Sequence, residues 1–500
     1  MNENQVINDC RIVMPIAQRD VNTDISEDFT LPDYNPEIRK ILYLRTSILP
    51  PARFVSGNKI DVSGVVDYTL VYVSADGKLC SAPFSAEYAF SLPLENMSKF
   101  ELGEGVCVMA HGVCESSGVR VSAPRRLQIR SHLKTAVSAY GKMVCAENVS
   151  GMSGEGSIER LCENATSPEI FCESSDVITL QDDFSMLDAD KRISVASSNV
   201  IIGETQREEE AVRVRGEVLV ELLLSDTEGQ TERMTRRLPF DINIDLDGIE
   251  LSDEGRTRVG ASVTDLVINS EDGNVRIEAN MVLELCAIDE RHISYTKDMY
   301  STAQECKCTK AVYELPVMLC NKNFAFSQSE RLLLEEIGIE LGVQIADVNS
   351  SAIVEGIELN DSKYTLRGSC KYNLVLKKDG EYSAAEVKTP FRFDIDGDRD
   401  GEIERYDAVA EMYGTKVKLD GTSLNIDSQI ALACTLFGKD RIEAVEKAEL
   451  FGECEKRTNS IIVCFPSSDD TLWSIAKRYG VLMSDVCGDI ENDGFVMIET

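Results

Sequence analysis

The stretch RVRGEVLVELLLSDTEGQ, residues Arg213–Gln230, gives the clearest indication of how this chain folds. The apolar residues Val214, Val218, Val220, Leu222 and Leu224 share one phase of a two-residue period, and Arg213, Arg215, Glu217 and Glu221 fall in the other phase. A period of two places every second side chain on the same face, which predicts a β-strand with one buried face. Gly216 interrupts this strand, and a glycine within a strand is expected to mark a bulge or a close approach of other atoms. The polar end of the stretch, at residues 227–229, suits a hairpin turn.

The same pattern occurs twice more, as DVSGVVDYTLVYVSADGK (Asp61–Lys78) and TLRGSCKYNLVLKKDGE (Thr365–Glu381). The central glycines, Gly64, Gly216 and Gly368, are 152 residues apart in both intervals (216 − 64 and 368 − 216). Two further landmarks recur in the same order: Pro-Phe pairs at 83–84, 239–240 and 390–391, and alternating segments at 127–140, 275–288 and 424–437. Landmarks that recur in one order at about the same period indicate three copies of a unit of about 150 residues.

Many strands separated by polar turns predict a mainly β chain built of sandwich-like all-β units. We expect the first unit at residues 1–150, the second at 158–303 and the third at 305–455, arranged like beads on a string, with a smaller domain at 460–500. Short helices are expected at Asn35–Leu44 and Ser329–Gly338.

The composition excludes several classes of protein. Of the 500 residues, 43% are hydrophobic and 27% are charged, which is typical of globular domains. The 86 acidic and 51 basic residues give a net charge of −35, which repels phosphate backbones and anionic lipids. We therefore expect no nucleic-acid partner, and a basic protein surface is the better candidate. With no secretory signal pattern and no long apolar run, we expect no membrane span and a cytoplasmic protein with mostly reduced cysteines.

The C-terminal segment follows a different pattern. IIVCF (Ile461–Phe465) predicts a strand, and DDTLWSIAKRYGV (Asp469–Val481) predicts a helix because its apolar residues recur at helical spacing. A second short helix is expected at Met483–Ile490 and a closing strand at Phe495–Ile498. Together these elements predict a small βααβ domain.

This order of elements, with Asp470-Thr471-Leu472-Trp473 followed by Ile475–Val481, resembles the LysM domain over residues 461–500. The resemblance implies a groove for N-acetylglucosamine glycans beside the first helix. The groove residues that it implies, for a glycan or for a docked protein, are Asp469, Asp470, Thr471, Leu472, Trp473, Lys477, Arg478, Asp489 and Asn492. A competing interpretation makes Leu472 and Trp473 core side chains, and Asp470 and Thr471 helix caps.

The segment DFTLPDYNPEIRKILYL (Asp28–Leu44), followed by Gly64 and then Pro83-Phe84, resembles the SPOCS domain of spore-coat morphogenetic proteins. Three SPOCS-like units before a LysM domain resemble a family of clostridial coat proteins. That resemblance implies a non-enzymatic scaffold, made in the mother cell, that gathers at the forespore surface with other coat proteins. It also implies that the LysM domain docks on the ATPase of the coat basement layer. The alternative is a peptidoglycan reader that uses the β units as spacers.

Residues that could carry catalysis are few. The three histidines, His111, His132 and His292, lie in different units or strands, and phosphate-loop motifs are missing from the sequence, so we expect no enzyme. One stretch, DGDRDGEIERYD (Asp396–Asp407), has oxygen ligands at the spacing of a calcium loop. Ca²⁺ is the one cofactor that the sequence suggests, with the ligands Asp396, Asp398, Asp400, Glu402, Glu404 and Asp407. The competing interpretation is a solvated acidic turn.

Overall fold

A computed structural model describes residues 5–94, 106–150, 158–186, 191–226, 230–246, 250–271, 273–360, 363–454, 461–488, 490 and 494–499. The chain is mainly β, as predicted, with 79% of the structure in strands. One α-helix is present in the described part of the chain.

The strands divide into three successive groups before the C-terminal segment. The first group is β1 (Gln5–Thr30), β2 (Ile38–Ile48), β3 (Ala52–Ser56), β4 (Lys59–Ser74), β5 (Leu79–Pro93), β6 (Cys107–Ala123) and β7 (Arg126–Ser150). The second is β8 (Ile158–Ser174), β9 (Ile178–Ser185), β10 (Arg192–Arg207), β11 (Ala211–Ser225), β12 (Thr231–Asp245), β13 (Arg256–Glu271) and β14 (Asn274–Ser301). The third is β15 (Glu305–Leu333), β16 (Gln344–Asn360), β17 (Lys363–Lys378), β18 (Glu381–Ile395), β19 (Arg405–Asp420) and β20 (Ser423–Phe451).

One arrangement of strands occurs in all three groups. In the second group β10, β11 and β12 form one antiparallel sheet, while β13, β8 and β9 all pair with β14 in another. The third group repeats this with β16-β17-β18 and with β15 and β19 on β20, and the first with β2-β4-β5 and with β1 and β6 on β7. A buried apolar cluster with side chains from both sheets fills each group. Each group is therefore a two-layer unit.

The glycines singled out by the sequence lie in the central strands β11 and β17. Phe240 is directly opposite Gly216, and Phe391 is directly opposite Gly368. A Cβ atom at these glycines would come within 2.6 Å and 2.4 Å of the two rings. The neighbouring strand β10 also shifts register beside Gly216, at residues 202–204. The predicted bulge and the predicted close approach are both present, with the bulge in the neighbouring strand.

The Pro-Phe pair of the first unit lies at a different register from those of the other two units. Tyr88, rather than Phe84, lies opposite Gly64, and its ring comes within 2.6 Å of a Cβ atom built there. Phe84 lies opposite Tyr68 instead. The requirement at this position is an aromatic ring over the glycine, which tyrosine meets as well as phenylalanine, so a preceding proline does not identify it.

The three units share a core, and the expectation of separate beads is wrong. Val71, Leu223 and Val375, which are 152 residues apart in both intervals (223 − 71 and 375 − 223), pack in one buried cluster with Tyr43 and Val195. Equivalent positions of the three repeats therefore pack together, which is the arrangement expected of three copies related by a pseudo-three-fold axis. Strands β7 and β20 also run parallel to each other where their ends meet, which joins the first and third units in one sheet.

A cavity of about 580 Å³ lies where the units meet and is lined by residues of all three. Arg258 of β13 and Asp407 of β19 form an ion pair at its wall, with 2.7 Å between the guanidinium nitrogen and the carboxylate oxygen. His111 of β6 lines the same cavity. The cavity wall therefore contains an ion pair that joins the second unit to the third.

The prediction of short helices at Asn35–Leu44 and Ser329–Gly338 is wrong. Residues 38–48 form β2, which pairs with β4, and β15 runs to Leu333 before a turn at residues 334–338. Short apolar runs fit both helical and strand periods, and here pairing with a neighbouring strand is the stronger influence.

Candidate functional site

The C-terminal segment forms a three-stranded sheet with one helix. Its elements are β21 (Ile461–Cys464), α1 (Leu472–Tyr479), a 3₁₀ turn at Met483–Asp485, β22 (Val486–Cys487) and β23 (Val496–Glu499), with sheet order β21-β23-β22. The expected second helix is thus a single 3₁₀ turn followed by a strand. Val486 is β-branched and pairs with Ile498, which favours a strand at the point where a helix would continue.

The residues just before α1 hold its N-terminus. The Thr471 hydroxyl accepts a hydrogen bond from the Ser474 backbone N–H at 3.1 Å, and the Ser474 hydroxyl accepts one from the Thr471 N–H at 2.9 Å. Asp470 accepts hydrogen bonds from the backbone and side chain of Ser467 and from Arg478. The Arg478 guanidinium holds the pKa of the Asp470 carboxyl well below its usual range. The capping interpretation is confirmed for Thr471 and wrong for Asp470, which instead fixes the loop before the helix.

The opposite side of α1 packs on the end of β14, in the second unit. The Trp473 indole N–H donates to Asp298 at 2.9 Å, and the Lys477 ammonium contacts both oxygens of the same carboxylate at 2.7 Å. The Trp473 ring meets Tyr300 edge to face, with 5.0 Å between the ring centroids. The Tyr300 hydroxyl donates to the Val481 carbonyl at 2.7 Å. This contact attaches the C-terminal domain to the second unit.

Asp298 is the centre of that contact, and its side chain is only 18% exposed. Burial alone would raise its pKa, but the hydrogen bonds from Lys477 and Trp473 outweigh burial and hold the pKa below the usual value of 3.8. The carboxylate therefore stays charged and holds two groups of α1 together at neutral pH.

Five of the predicted groove residues already have contacts within the chain. Thr471 caps α1, Asp470 and Arg478 hold the loop before it, and Trp473 and Lys477 contact the second unit. Leu472 packs in the domain core and Asp469 is exposed, while Asp489 and Asn492 lie outside the described residues. The indole and ammonium expected to take a ligand are thus occupied by the chain itself. Asp298 and Tyr300 were missed because nothing in the sequence links them to a helix about 175 residues away.

The outer face of the small sheet is apolar and exposed. Ile461, Val463 and Phe465 occupy alternate positions along β21 and its continuation, and they are 63%, 50% and 76% exposed. Phe495 and Met497 of the neighbouring segment are 37% and 44% exposed. The alternate residues of these strands, such as Cys464 and Ile498, are buried against α1. We refer to the five exposed residues as the outer sheet face.

The acidic loop of the third unit does not gather its carboxylates. Asp398 lies 2.6 Å from the Lys322 ammonium, and Asp407 is paired with Arg258. Asp396 is paired with Lys363 at 3.1 Å, and the remaining candidates Asp400, Glu402 and Glu404 are exposed. All six lie within the described residues, among which no group of three Asp, Glu, His or Cys side chains is placed to hold a metal. These contacts favour the solvated acidic turn, and Ca²⁺ binding stays a prediction.

Within the described ranges, no helix has the length and apolar character needed to cross a membrane. Comparison with known proteins found no matching family model, no matching curated protein and no matching solved structure.

Proposed function

We propose that this chain is a non-enzymatic scaffold of the spore coat, and that residues 460–500 dock it on the ATPase of the coat basement layer at the forespore surface. The single observation that supports docking is the outer sheet face, which presents five large apolar side chains on one small sheet. Single exposed apolar residues are normal, but a contiguous group of them is characteristic of an interaction surface. The net charge of −35 favours a partner whose rim is basic. The coat assignment itself rests on the resemblance to SPOCS and LysM domains.

Peptidoglycan is the alternative partner, and one feature favours it. Phe465 and Phe495 are exposed, and their ring centroids are 6.5 Å apart. Exposed aromatic rings are apolar platforms on which the faces of a sugar can stack. The groove that the LysM resemblance implies contributes less, since Trp473 and Lys477 already contact Asp298.

Binding of the full chain to two purified partners tests the proposal. We expect the basement-layer ATPase to bind with micromolar or tighter affinity, and the chain to stay in the supernatant when insoluble peptidoglycan is pelleted. Isothermal titration calorimetry and a co-sedimentation assay measure the two outcomes. Co-sedimentation with peptidoglycan, without binding to the ATPase, would replace the proposed function with the alternative.

A further inference from the structure

We propose that Cys107 and Cys172 form a disulfide bond that ties the first unit to the second when the chain meets a low-molecular-weight disulfide. Cys107 lies in β6 and Cys172 in β8, so the two thiols come from different units. Their sulfur atoms are 2.9 Å apart, although the residues are separated by 65 positions in the sequence. A disulfide has an S–S bond of about 2.05 Å, so closing the bond requires a shift of only about 1 Å.

A small oxidant can reach this pair of thiols. Both side chains are partly exposed, and Cys172 lines the cavity between the units. The other thiol close to Cys172 is Cys286, which lies directly opposite it in β14 and is buried. The Cys286 sulfur lies 3.8 Å from the sulfur of Met109. Of the two possible partners of Cys172, Cys107 is therefore the more accessible one and belongs to the other unit.

The order of the two chemical steps follows from the environment of the thiols. The hydrogen bond with Cys107 and burial raise the pKa of Cys172, which makes Cys172 the poorer first nucleophile. The Cys107 thiolate attacks the disulfide of the oxidant, forms a mixed disulfide and releases one thiolate. Cys172 then loses its proton to solvent, attacks the Cys107 sulfur and releases the second thiolate. Two protein thiols are oxidised and one small disulfide is reduced to two thiols, so electrons and protons balance.

The bond would close a loop that connects the units. A cross-link between distant residues restricts the unfolded chain, and its effect grows with the length of the closed loop. The non-covalent contacts of the first and second units would then be reinforced by a bond that a reductant can remove.

Peptide mapping of the intact chain after treatment with oxidised glutathione tests the inference. We expect a linked peptide pair containing Cys107 and Cys172, loss of alkylation at both positions, reversal by dithiothreitol and a rise in the midpoint of thermal unfolding. Cys172→Ser is expected to abolish the linked pair. Cys162→Ser, which removes an exposed thiol from the same strand, is expected to leave it unchanged.

Two results would overturn the inference. The first is full alkylation of Cys107 and Cys172 in the oxidised, folded wild-type chain. The second is a linked pair that joins Cys172 to Cys286. Because both are read on the wild-type chain, the test does not depend on how well a serine variant folds.

Discussion

Replacing Asp407 with alanine is expected to lower the free energy of unfolding by about 3 to 5 kcal/mol, because the change leaves a buried charge without its partner. Asp407 belongs to the third unit and Arg258 to the second, and their side chains are 19% and 11% exposed. The Arg258 Nε atom is buried and already lacks a hydrogen-bond partner among the described residues. Removing the carboxylate leaves the guanidinium with no other opposite charge in direct contact in the described structure.

The control for this prediction is Glu381→Ala. Glu381 is also paired with an arginine, Arg39, but the two side chains are 71% and 42% exposed, so its loss should cost far less. Chemical denaturation followed by circular dichroism measures both variants. Equal denaturation midpoints for the two variants would contradict the role given to the buried pair. The double change Arg258→Met with Asp407→Leu should recover much of the lost stability, because it removes both charges.

The ion pair between Arg258 and Asp407 makes the stability of the chain depend on pH. Burial alone would raise the pKa of Asp407, but Arg258 and His111 outweigh burial and hold it below the usual value of 3.8. Because the pKa of Asp407 is lower in the folded chain than in the unfolded chain, the ion pair stabilises the fold fully at a pH above the unfolded-state pKa. This stabilisation is lost as the pH falls through the folded-state pKa. Acid should therefore weaken the contact between the second and third units.

Changing Val463 and Met497 together to aspartate is expected to weaken binding to the basement-layer ATPase by about 100-fold. Both side chains lie on the outer sheet face, at 50% and 44% exposure. Aspartate there would place charge in the centre of an apolar contact, which opposes desolvation. Folding should be affected little, since the buried neighbours Cys464, Val496 and Ile498 keep their contacts.

The matched control is Val312→Asp, which makes the same substitution at an exposed valine in β15. We expect the affinity of this variant for the ATPase to equal that of the wild type in the same calorimetric assay. If the wild type binds and the double variant binds equally well, the outer sheet face is not the docking surface, although docking itself would stand.

The strands could be predicted from sequence, but their association could not. Alternation around Gly216 indicates a strand with one buried face, and this is present in the structure. The shared core depends on continuous apolar runs in the central strands, such as residues 70–73 and 222–224, which bury both faces. Such a run indicates a strand covered on both sides. It does not identify the covering element, which here is the equivalent strand of another repeat.

Only part of the candidate site could be predicted from sequence, because some of its contacts are local and others depend on tertiary packing. Capping by Thr471 follows from local sequence and is confirmed. The contacts of Trp473 and Lys477 depend on Asp298, whose approach is a matter of tertiary packing. The outer sheet face has a sequence signal, because IIVCF and FVMI are apolar at successive positions and a two-layer domain can bury only one face of each strand.

The second unit covers α1 of the C-terminal domain and leaves the outer sheet face exposed. Trp473 is the only tryptophan in the chain, so its fluorescence reports on this contact alone. Iodide quenching of the full chain should be weak at neutral pH and much stronger in Asp298→Ala. Quenching should also rise as the pH falls through the lowered pKa of Asp298.

Asp469→Ala removes an exposed carboxylate on the same domain and is expected to leave quenching unchanged. We expect a shielded tryptophan in the wild type and in this control, and an accessible tryptophan in Asp298→Ala. Equal quenching in the wild type and in Asp298→Ala would contradict it, because the helix face would then be free to bind a ligand.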